Sequence, residues 1–264
     1  MAQRSGHALS PHEIPPVLFF HGYPENLQVW WGVAPAVAAA TGREVFAVDW
    51  PGMGYSETWP GGATPRHKAD QIVAMLDHWG IERAALVGMD MGGQPALVCA
   101  ARHPDRIERV AVLNSLLFGD LATSWEIEIL RKYGWNRWLI RKLPGLVFER
   151  AVRTSIPRDY RLPPELRADF RTAFMRPEVG QYVSKMCAGY QGKLPDLPAD
   201  YAAITCPTAI IWGAQDKHFP PAHGERLAAL LPHATLTVLP GHHWLPLHAP
   251  AAVAAALIPS LTTA

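Results

Sequence analysis

The sequence predicts an α/β protein whose mostly parallel sheet is covered by helices on both faces. Short apolar runs without alternation recur along the chain, as strands buried on both sides require. Stretches with helical periodicity separate these runs, and this order of strand and helix predicts a parallel sheet. The first unit comprises a strand at 17–20, an Ala-rich helix at about 27–40 that is closed by Gly42, and a strand at 44–48.

The same alternation continues along the chain, with one long interruption. Further strands are predicted at 84–87, 110–113, 208–212 and 235–239, and further helices at about 72–79, up to about 102, at about 225–231 and up to about 261. Between them, residues 116–200 carry tryptophans, arginines and prolines with helical but no strand patterning. We therefore predict a core formed by 1–115 and 201–264, with an inserted helical cap at 116–200.

Composition and charge indicate a globular protein that does not bind a highly charged partner. Of the 264 residues, 49% are hydrophobic and 18% are charged, and 24 Lys and Arg stand against 23 Asp and Glu. No global field recruits nucleic acid or an anionic membrane, so a small hydrophobic or aromatic substrate is the expected partner. Three scattered cysteines predict neither a disulfide framework nor a zinc site, and no apolar stretch reaches the ~20 residues of a membrane span. We expect a cytoplasmic protein that needs no cofactor and no metal.

The segment 86–93, Leu-Val-Gly-Met-Asp-Met-Gly-Gly, joins the end of a strand to the start of a helix through a Gly-x-Asp-x-Gly turn. It has the form of a nucleophile elbow, in which glycines permit a tight, strained turn and the helix N-terminus favours an anion. The alternative is that Asp90 only caps the helix. Glycines on both sides favour Asp90 as a nucleophile.

A second motif, His-Gly-Tyr-Pro-Glu at 21–25, follows the first buried strand. A loop in this place can offer a backbone N–H to a developing oxyanion, and Tyr23 lies within it. The N–H of Met91, next to the elbow aspartate, is the second candidate donor. The alternative for His21 is a hydrogen-bonded loop histidine, since the motif alone does not decide its role.

Two further motifs follow later strands, Trp-Gly-Ala-Gln-Asp at 212–216 and Gly-His-His-Trp at 241–244. Ligands collect at the carboxyl ends of parallel strands, where both motifs fall. The chain order Asp90, Asp216, His243 is the hydrolase order of nucleophile, acid and base, with spacings of 126 (216 − 90) and 27 (243 − 216) residues. These residues are the predicted catalytic triad.

These motifs resemble those of the α/β-hydrolase superfamily, whose core and cap the chain can follow from Val17 to Leu261. The 21–25 loop together with an elbow Asp is similar to epoxide hydrolases and, nearly as closely, to haloalkane and haloacetate dehalogenases. An ordinary esterase is disfavoured, because an esterase of this fold carries serine at the elbow. The resemblance also implies that the first two of eight strands are missing or that the chain starts short, because only sixteen residues precede Val17.

The resemblance also implies a choice of base and acid. His243 is preferred to His242, because the family's base is similar to a histidine directly before an aromatic residue, here Trp244. Asp216 is preferred as the acid, because the other usual position holds the uncharged Asn114. Asp120 is the reserve candidate.

A carboxylate that attacks an epoxide or a carbon–halogen bond forms an ester with the enzyme, and water activated by His243 then hydrolyses that ester. The resemblance to dehalogenases implies halide-binding or substrate-binding donors at the positions of Met91 and Tyr23. These two residues do not match the expected donors, so dehalogenation is the second hypothesis. Epoxide opening is the leading one. An enzyme that uses Asp90 as a base without forming an ester, and a binding protein without turnover, are the remaining alternatives.

The predicted pocket combines residues of the motifs with residues of the cap. The resemblance to epoxide hydrolases implies two cap tyrosines that act as proton donors. Tyr190 is closest to one expected position, and Phe118 occupies the other. Candidate pocket residues are His21, Glu25, Trp30, Phe118, Trp125 and Trp244. The basic cap residues between 131 and 142 are interpreted as a solvated helix face, although a carboxylated substrate could exploit them.

Overall fold

A computed structural model of the chain describes residues 2–4, 14–189 and 197–262. Seven strands form one sheet, with bounds Ala2–Arg4 (β1), Val17–Phe20 (β2), Val45–Val48 (β3), Ala84–Met89 (β4), Ile107–Leu113 (β5), Thr208–Gly213 (β6) and Ala234–Leu239 (β7). They lie in the order β1-β3-β2-β4-β5-β6-β7. Only β1 runs antiparallel to its neighbour, and β2 to β7 form the predicted parallel sheet.

Helices cover both faces of this sheet. Those among the described residues are Ala34–Thr41 (α1), Pro65–His78 (α2), Gly93–Arg102 (α3), Trp125–Lys132 (α4), Arg137–Lys142 (α5), Pro144–Ser155 (α6), Pro164–Phe174 (α7), Pro177–Gly189 (α8), Leu197–Tyr201 (α9), Ala222–Leu230 (α10), Leu245–His248 (α11) and Pro250–Thr262 (α12). Every residue of β2, β4 and β6 is buried, because both faces of the sheet are packed by helices. None of these helices is long and apolar enough to span a bilayer.

The helix predicted at 27–40 is divided in two. A 3₁₀ turn, Leu27–Trp30, begins after Asn26, whose side chain accepts the N–H of Gln28. Helix α1 then starts separately, with a proline in its first turn, and ends at Gly42 in the left-handed conformation. The predicted end of the helix is therefore close to the observed one, and its predicted start is wrong.

Strand β1 precedes Val17, where the first two of eight strands were expected to be missing or the chain to start short. Its residues pair antiparallel with β3, with Ala2 opposite Val48 and Arg4 opposite Phe46. Three residues that lie at the edge of a sheet are held by backbone hydrogen bonds, so they need no apolar pattern. The sequence carries no signal of this strand for that reason.

Between β5 and β6, the described residues form the six helices α4 to α9 and no strand, as predicted for the cap. Helices α5, α6, α7 and α8 pack on one another, whereas α9 packs against α3 of the core. The assignment of 116–200 to a separate cap stays a prediction, and its last residues contact the core.

Close packing between β2 and β4 fixes the turn that follows β4. A Cβ atom added at Gly92 would lie 2.6 Å from the Phe20 carbonyl oxygen, which is backbone and cannot move aside. We expect Gly92→Ala to lower the free energy of unfolding by about 1–3 kcal/mol, measured by urea denaturation.

Gly145→Ala is the matched control, because Gly145 lies in α6 and an added Cβ would meet only Arg171 Nη2, at 3.5 Å. Its free energy of unfolding should stay the same or rise slightly. Equal losses in the two variants would contradict the packing argument.

Candidate active site

Asp90 lies at a strained turn between β4 and α3. Its φ angle is 51°, in the left-handed region that residues other than glycine rarely adopt. The Ser115 hydroxyl donates to the Asp90 carbonyl oxygen and so holds the turn. Asp90 does not cap α3, because Gly92 occupies the cap position of this helix. The Asp90 side chain lines a pocket instead.

One carboxylate oxygen of Asp90 lies between the 21–25 loop and the predicted base. The Tyr23 N–H donates to Asp90 Oδ2 at 2.9 Å, and His243 Nε2 lies 3.9 Å from the same oxygen. Asp90 is only 8% exposed, so water competes weakly for these contacts. A backbone N–H directed at this carboxyl group can stabilise negative charge on it.

His243 is oriented by Asp216 so that its second ring nitrogen faces Asp90. His243 Nδ1 lies 2.9 Å from Asp216 Oδ2. Asp216 Oδ1 accepts the backbone N–H groups of His218 and Phe219, which fixes the carboxylate. Burial disfavours the charged ring, but Asp216 and Asp90 outweigh it and raise the pKa of His243 to about 10. The resting site therefore holds an imidazolium between two carboxylates.

The reserve acid and base lie elsewhere. Asp120 is exposed, and its carboxylate binds Arg226 at 2.7 Å. The ring of His242 packs 6.2 Å from that of His248. The structure thus brings together the three preferred residues and neither reserve candidate, while their catalytic roles stay a prediction.

Asn114 joins the loops that carry the acid and the base. Its Oδ1 accepts the Gly213 N–H at 2.8 Å, and its Nδ2 donates to the backbone carbonyls of His242 and His243 at 3.1 and 2.6 Å. A buried amide offers the donor and the acceptor that these loops need, which a carboxylate cannot do. From the sequence, this position is predicted only as a missing acid, and its role as a brace is not predicted.

His218 is a second polar residue that the sequence analysis missed. It lines the pocket, and its ring centroid lies 5.1 Å from that of His243. Its nitrogens pair with Ser124 Oγ at 2.8 Å and Thr154 Oγ1 at 3.0 Å, so it joins the core to the cap. Burial, followed by the neighbouring His243, lowers the pKa of His218 to about 4. In the sequence, its position two residues after Asp216 could have indicated that His218 lies near the site.

His21 and Glu25 hold the 21–25 loop from behind and do not line the pocket, which corrects their prediction as pocket residues. The Trp50 N–H donates to His21 Nε2, so His21 Nδ1 carries the proton and donates to the Gly22 carbonyl at 2.7 Å. Glu25 Oε1 accepts the Gly22 N–H at 3.1 Å. Burial, followed by repulsion from Asp90, raises the pKa of Glu25 to about 8. Both side chains pair backbone groups that the buried loop would otherwise leave unsatisfied.

A cavity of about 330 Å³ contains Asp90 and His243 in its wall. Most of its other lining residues are apolar, and most come from α4, α5, α6 and α8, so these helices enclose the predicted catalytic residues. Met91 lines it next to the elbow, and Trp125 contributes to its wall while remaining largely exposed. A cavity of this size suits a small apolar ligand.

Three aromatic residues predicted to line the pocket belong to the hydrophobic core: Trp30, Phe118 and Trp244. Trp30 packs on Phe19 with 5.1 Å between ring centroids, and Phe118 packs edge-on against Tyr201 at 6.0 Å. Trp244 is fully buried. Residue type and chain position place these rings near the site, but complete burial removes more apolar surface from water than a place in the pocket wall would.

The predicted cap acid Tyr190 lies outside the described residues. Tyr160 donates its hydroxyl to the Leu247 carbonyl, Tyr133 is exposed, and neither lines the pocket. Tyr23 does line it, and its hydroxyl is buried without a hydrogen-bond partner in the part of the chain that the structure describes. Burial raises the pKa of Tyr23 well above its usual value, so the hydroxyl keeps its proton.

Comparison with known families and structures identifies the architecture. The family model for the α/β hydrolase fold matches residues 15–250. The crystal structure of an enol-lactonase from Burkholderia xenovorans LB400 superposes with a TM-score of 0.83 and 25% sequence identity, over 100% of this chain and 96% of that one. The predicted fold class is confirmed.

Two curated relatives differ in the activities that their names give. The dihydrolipoyllysine-residue acetyltransferase component of the acetoin cleaving system of Cupriavidus necator is 31% identical over 84% of this chain, which spans 56% of that protein. A soluble epoxide hydrolase from Corynebacterium sp. (strain C12) is 31% identical over 101 residues, which make up 38% of this chain and 35% of that protein. This diversity leaves the substrate to be argued from the site.

We expect Asp90→Asn to lower the pKa of His243, because the amide keeps the shape of the side chain but removes one of the two negative charges that favour the imidazolium. The pKa can be followed by NMR titration of labelled histidine rings, in protein whose mass shows the amide to be intact. Asp120→Asn is the control, because Asp120 is exposed and binds Arg226. An unchanged pKa of His243 in Asp90→Asn would show that the two residues are not coupled.

Proposed function

The chain belongs to the α/β-hydrolase family, and from that premise we propose that it is a hydrolase that opens a small hydrophobic or aromatic epoxide through a covalent Asp90 ester. The observation that carries the proposal is the position of the Asp90 carboxylate, which faces the pocket, accepts the Tyr23 N–H and lies next to the His243–Asp216 pair. Serine, the nucleophile of an esterase of this fold, is absent from the elbow.

In the first step, a carboxylate oxygen of Asp90 attacks an epoxide carbon, a C–O bond forms, and the carbon's bond to the epoxide oxygen breaks. The released oxygen takes up a proton. We assign this donation to the Tyr23 hydroxyl, since Tyr23 lines the pocket and its buried hydroxyl keeps its proton and has no hydrogen-bond acceptor among the described residues.

In the second step, water hydrolyses the ester. Ester formation removes the negative charge of Asp90, so one of the two carboxylates that favour protonated His243 is lost and the pKa of the ring falls. The ring then gives its proton to the Tyr23 phenolate that the first step leaves, and the neutral ring accepts a proton from water that attacks the Asp90 carbonyl carbon. The N–H groups of Tyr23 and Met91 stabilise the oxyanion, and Asp90 is released as a carboxylate.

The Corynebacterium epoxide hydrolase supports this choice of electrophile over part of the chain. A dehalogenase would use the same ester, and an enzyme with Asp90 as a base would form none. The substrate class and a cytoplasmic location stay predictions. All three cysteines are free thiols, and Cys99 and Cys187 are buried.

Turnover of a styrene oxide panel in oxygen-18 water should place label in the peptide that contains Asp90, because the attacking water's oxygen enters the carboxylate. Mass spectrometry after several turnovers measures it. Asp90→Ala should lose turnover and labelling together. Turnover by the wild type without label would exclude the ester mechanism, and halide release from matched haloalkanes without any epoxide turnover would instead identify a dehalogenase.

Tyr23→Phe should lower kcat for epoxides by about 100-fold or more, because it removes the proton donor and leaves the backbone N–H in place. Tyr160→Phe is the matched control, since its hydroxyl binds the Leu247 carbonyl away from the pocket. Single-turnover kinetics should show the loss in ester formation rather than in ester hydrolysis. Equal kcat in the two variants would transfer the donor role to another residue.

A further inference from the structure

Arg131 is a buried cation in the wall of an otherwise mainly aliphatic pocket. It lies in the last turn of α4, and its side chain is only 9% exposed. The interpretation of the basic cap residues as a solvated face is therefore wrong for Arg131. One of its nitrogens, Nη2, donates to the Gly119 carbonyl at 2.9 Å.

The other two guanidinium nitrogens lack acceptors. Within the described ranges, Arg131 Nε and Nη1 are buried and make no hydrogen bond. Buried charged donors without acceptors are costly, so such groups are retained where a ligand supplies the acceptor. Because Arg131 lines the pocket, a ligand in the pocket is the natural source of that acceptor.

Neighbouring charges have partners of their own. Glu128 Oε1 forms an ion pair with Arg131 Nη1 at 3.5 Å but accepts no hydrogen bond from this nitrogen, and it accepts the Thr123 hydroxyl at 3.0 Å. Glu126, also in the pocket wall, accepts two hydrogen bonds from Arg150. The His218 ring is neutral, since its pKa lies near 4. Arg150 also lines the pocket but is hydrogen-bonded to Glu126, whereas Arg131, within the described residues, keeps two nitrogens without a hydrogen-bond acceptor beside its ion pair with Glu128.

We propose that Arg131 binds a carboxylate group of the substrate, so that the pocket takes an apolar molecule with a carboxylate at one end. Guanidinium matches the planar carboxylate and forms charge-assisted hydrogen bonds with it. The substrate would then bind in one orientation, with its carboxylate at Arg131 and its electrophilic carbon at Asp90, because the negative charge of Asp90 repels the carboxylate. That orientation rests on the proposed function, whereas the binding of a carboxylate does not.

The test uses two probes that cannot react, 4-phenylbutanoate and 4-phenylbutanamide, with affinities measured by isothermal titration calorimetry. We expect the wild type to bind the carboxylate at least tenfold more tightly than the amide. Arg131→Met should abolish this preference, and Glu128→Gln should strengthen carboxylate binding, because it removes the anion nearest to Arg131. Arg150→Met, which alters the arginine already bonded to Glu126, should leave the preference unchanged.

A wild type that binds neither probe, or both equally, would overturn the proposal. So would an unchanged preference in Arg131→Met, whereas a purely structural role for Arg131 would weaken both probes alike. If Arg131→Met does not fold, the comparison of the wild type with Glu128→Gln still decides, since equal carboxylate affinity in these two proteins excludes Arg131 as the binding cation. Because neither probe has an electrophilic carbon, these results are independent of whether epoxides are opened.

Discussion

The left-handed turn at Asp90 is the constraint on which the rest of the site depends. A non-glycine residue at a φ of 51° is unfavourable, and it persists here because its surroundings leave no alternative. Gly92 packs against the Phe20 carbonyl at the end of β2, and Ser115 holds the Asp90 carbonyl from the end of β5. The turn lifts the carboxylate out of the sheet into the pocket. Core packing of three adjacent strands thus sets the position of one side chain.

Charge compensation follows from that position. Asp90 and Asp216 are buried on either side of one imidazole, and their combined field outweighs the desolvation of the His243 ring. Because the charge of Asp90 helps to keep the proton on the His243 ring, the protonation state of His243 depends on the charge state of Asp90. Neutralisation of Asp90 by an ester then changes His243 from a proton carrier to a proton acceptor without movement of the backbone. The same site can hence serve two successive steps.

The sequence predicts this site well where the backbone alone decides the outcome. Strands buried on both faces have continuous apolar runs, and their carboxyl ends meet at one edge, so Asp90, Asp216 and His243 could be placed together from order and spacing. Side-chain packing decides the rest. Nothing in the local sequence separates Trp30, which fills the core, from Trp125, which lines the pocket, because both are tryptophans near helix starts.

Asn114 and His218 hold the acid loop in different ways, Asn114 from the core and His218 from the predicted cap. Among the described residues, the Asn114 side chain bonds to the loops that carry the acid and the base, so it holds these two loops together. His218 instead joins the acid loop to Thr154 of α6, while its own N–H holds Asp216. A shift of the cap therefore acts on Asp216 through one residue. Helix α6 also contributes to the pocket wall, so the same helix contacts the pocket and, through His218, the loop of the acid.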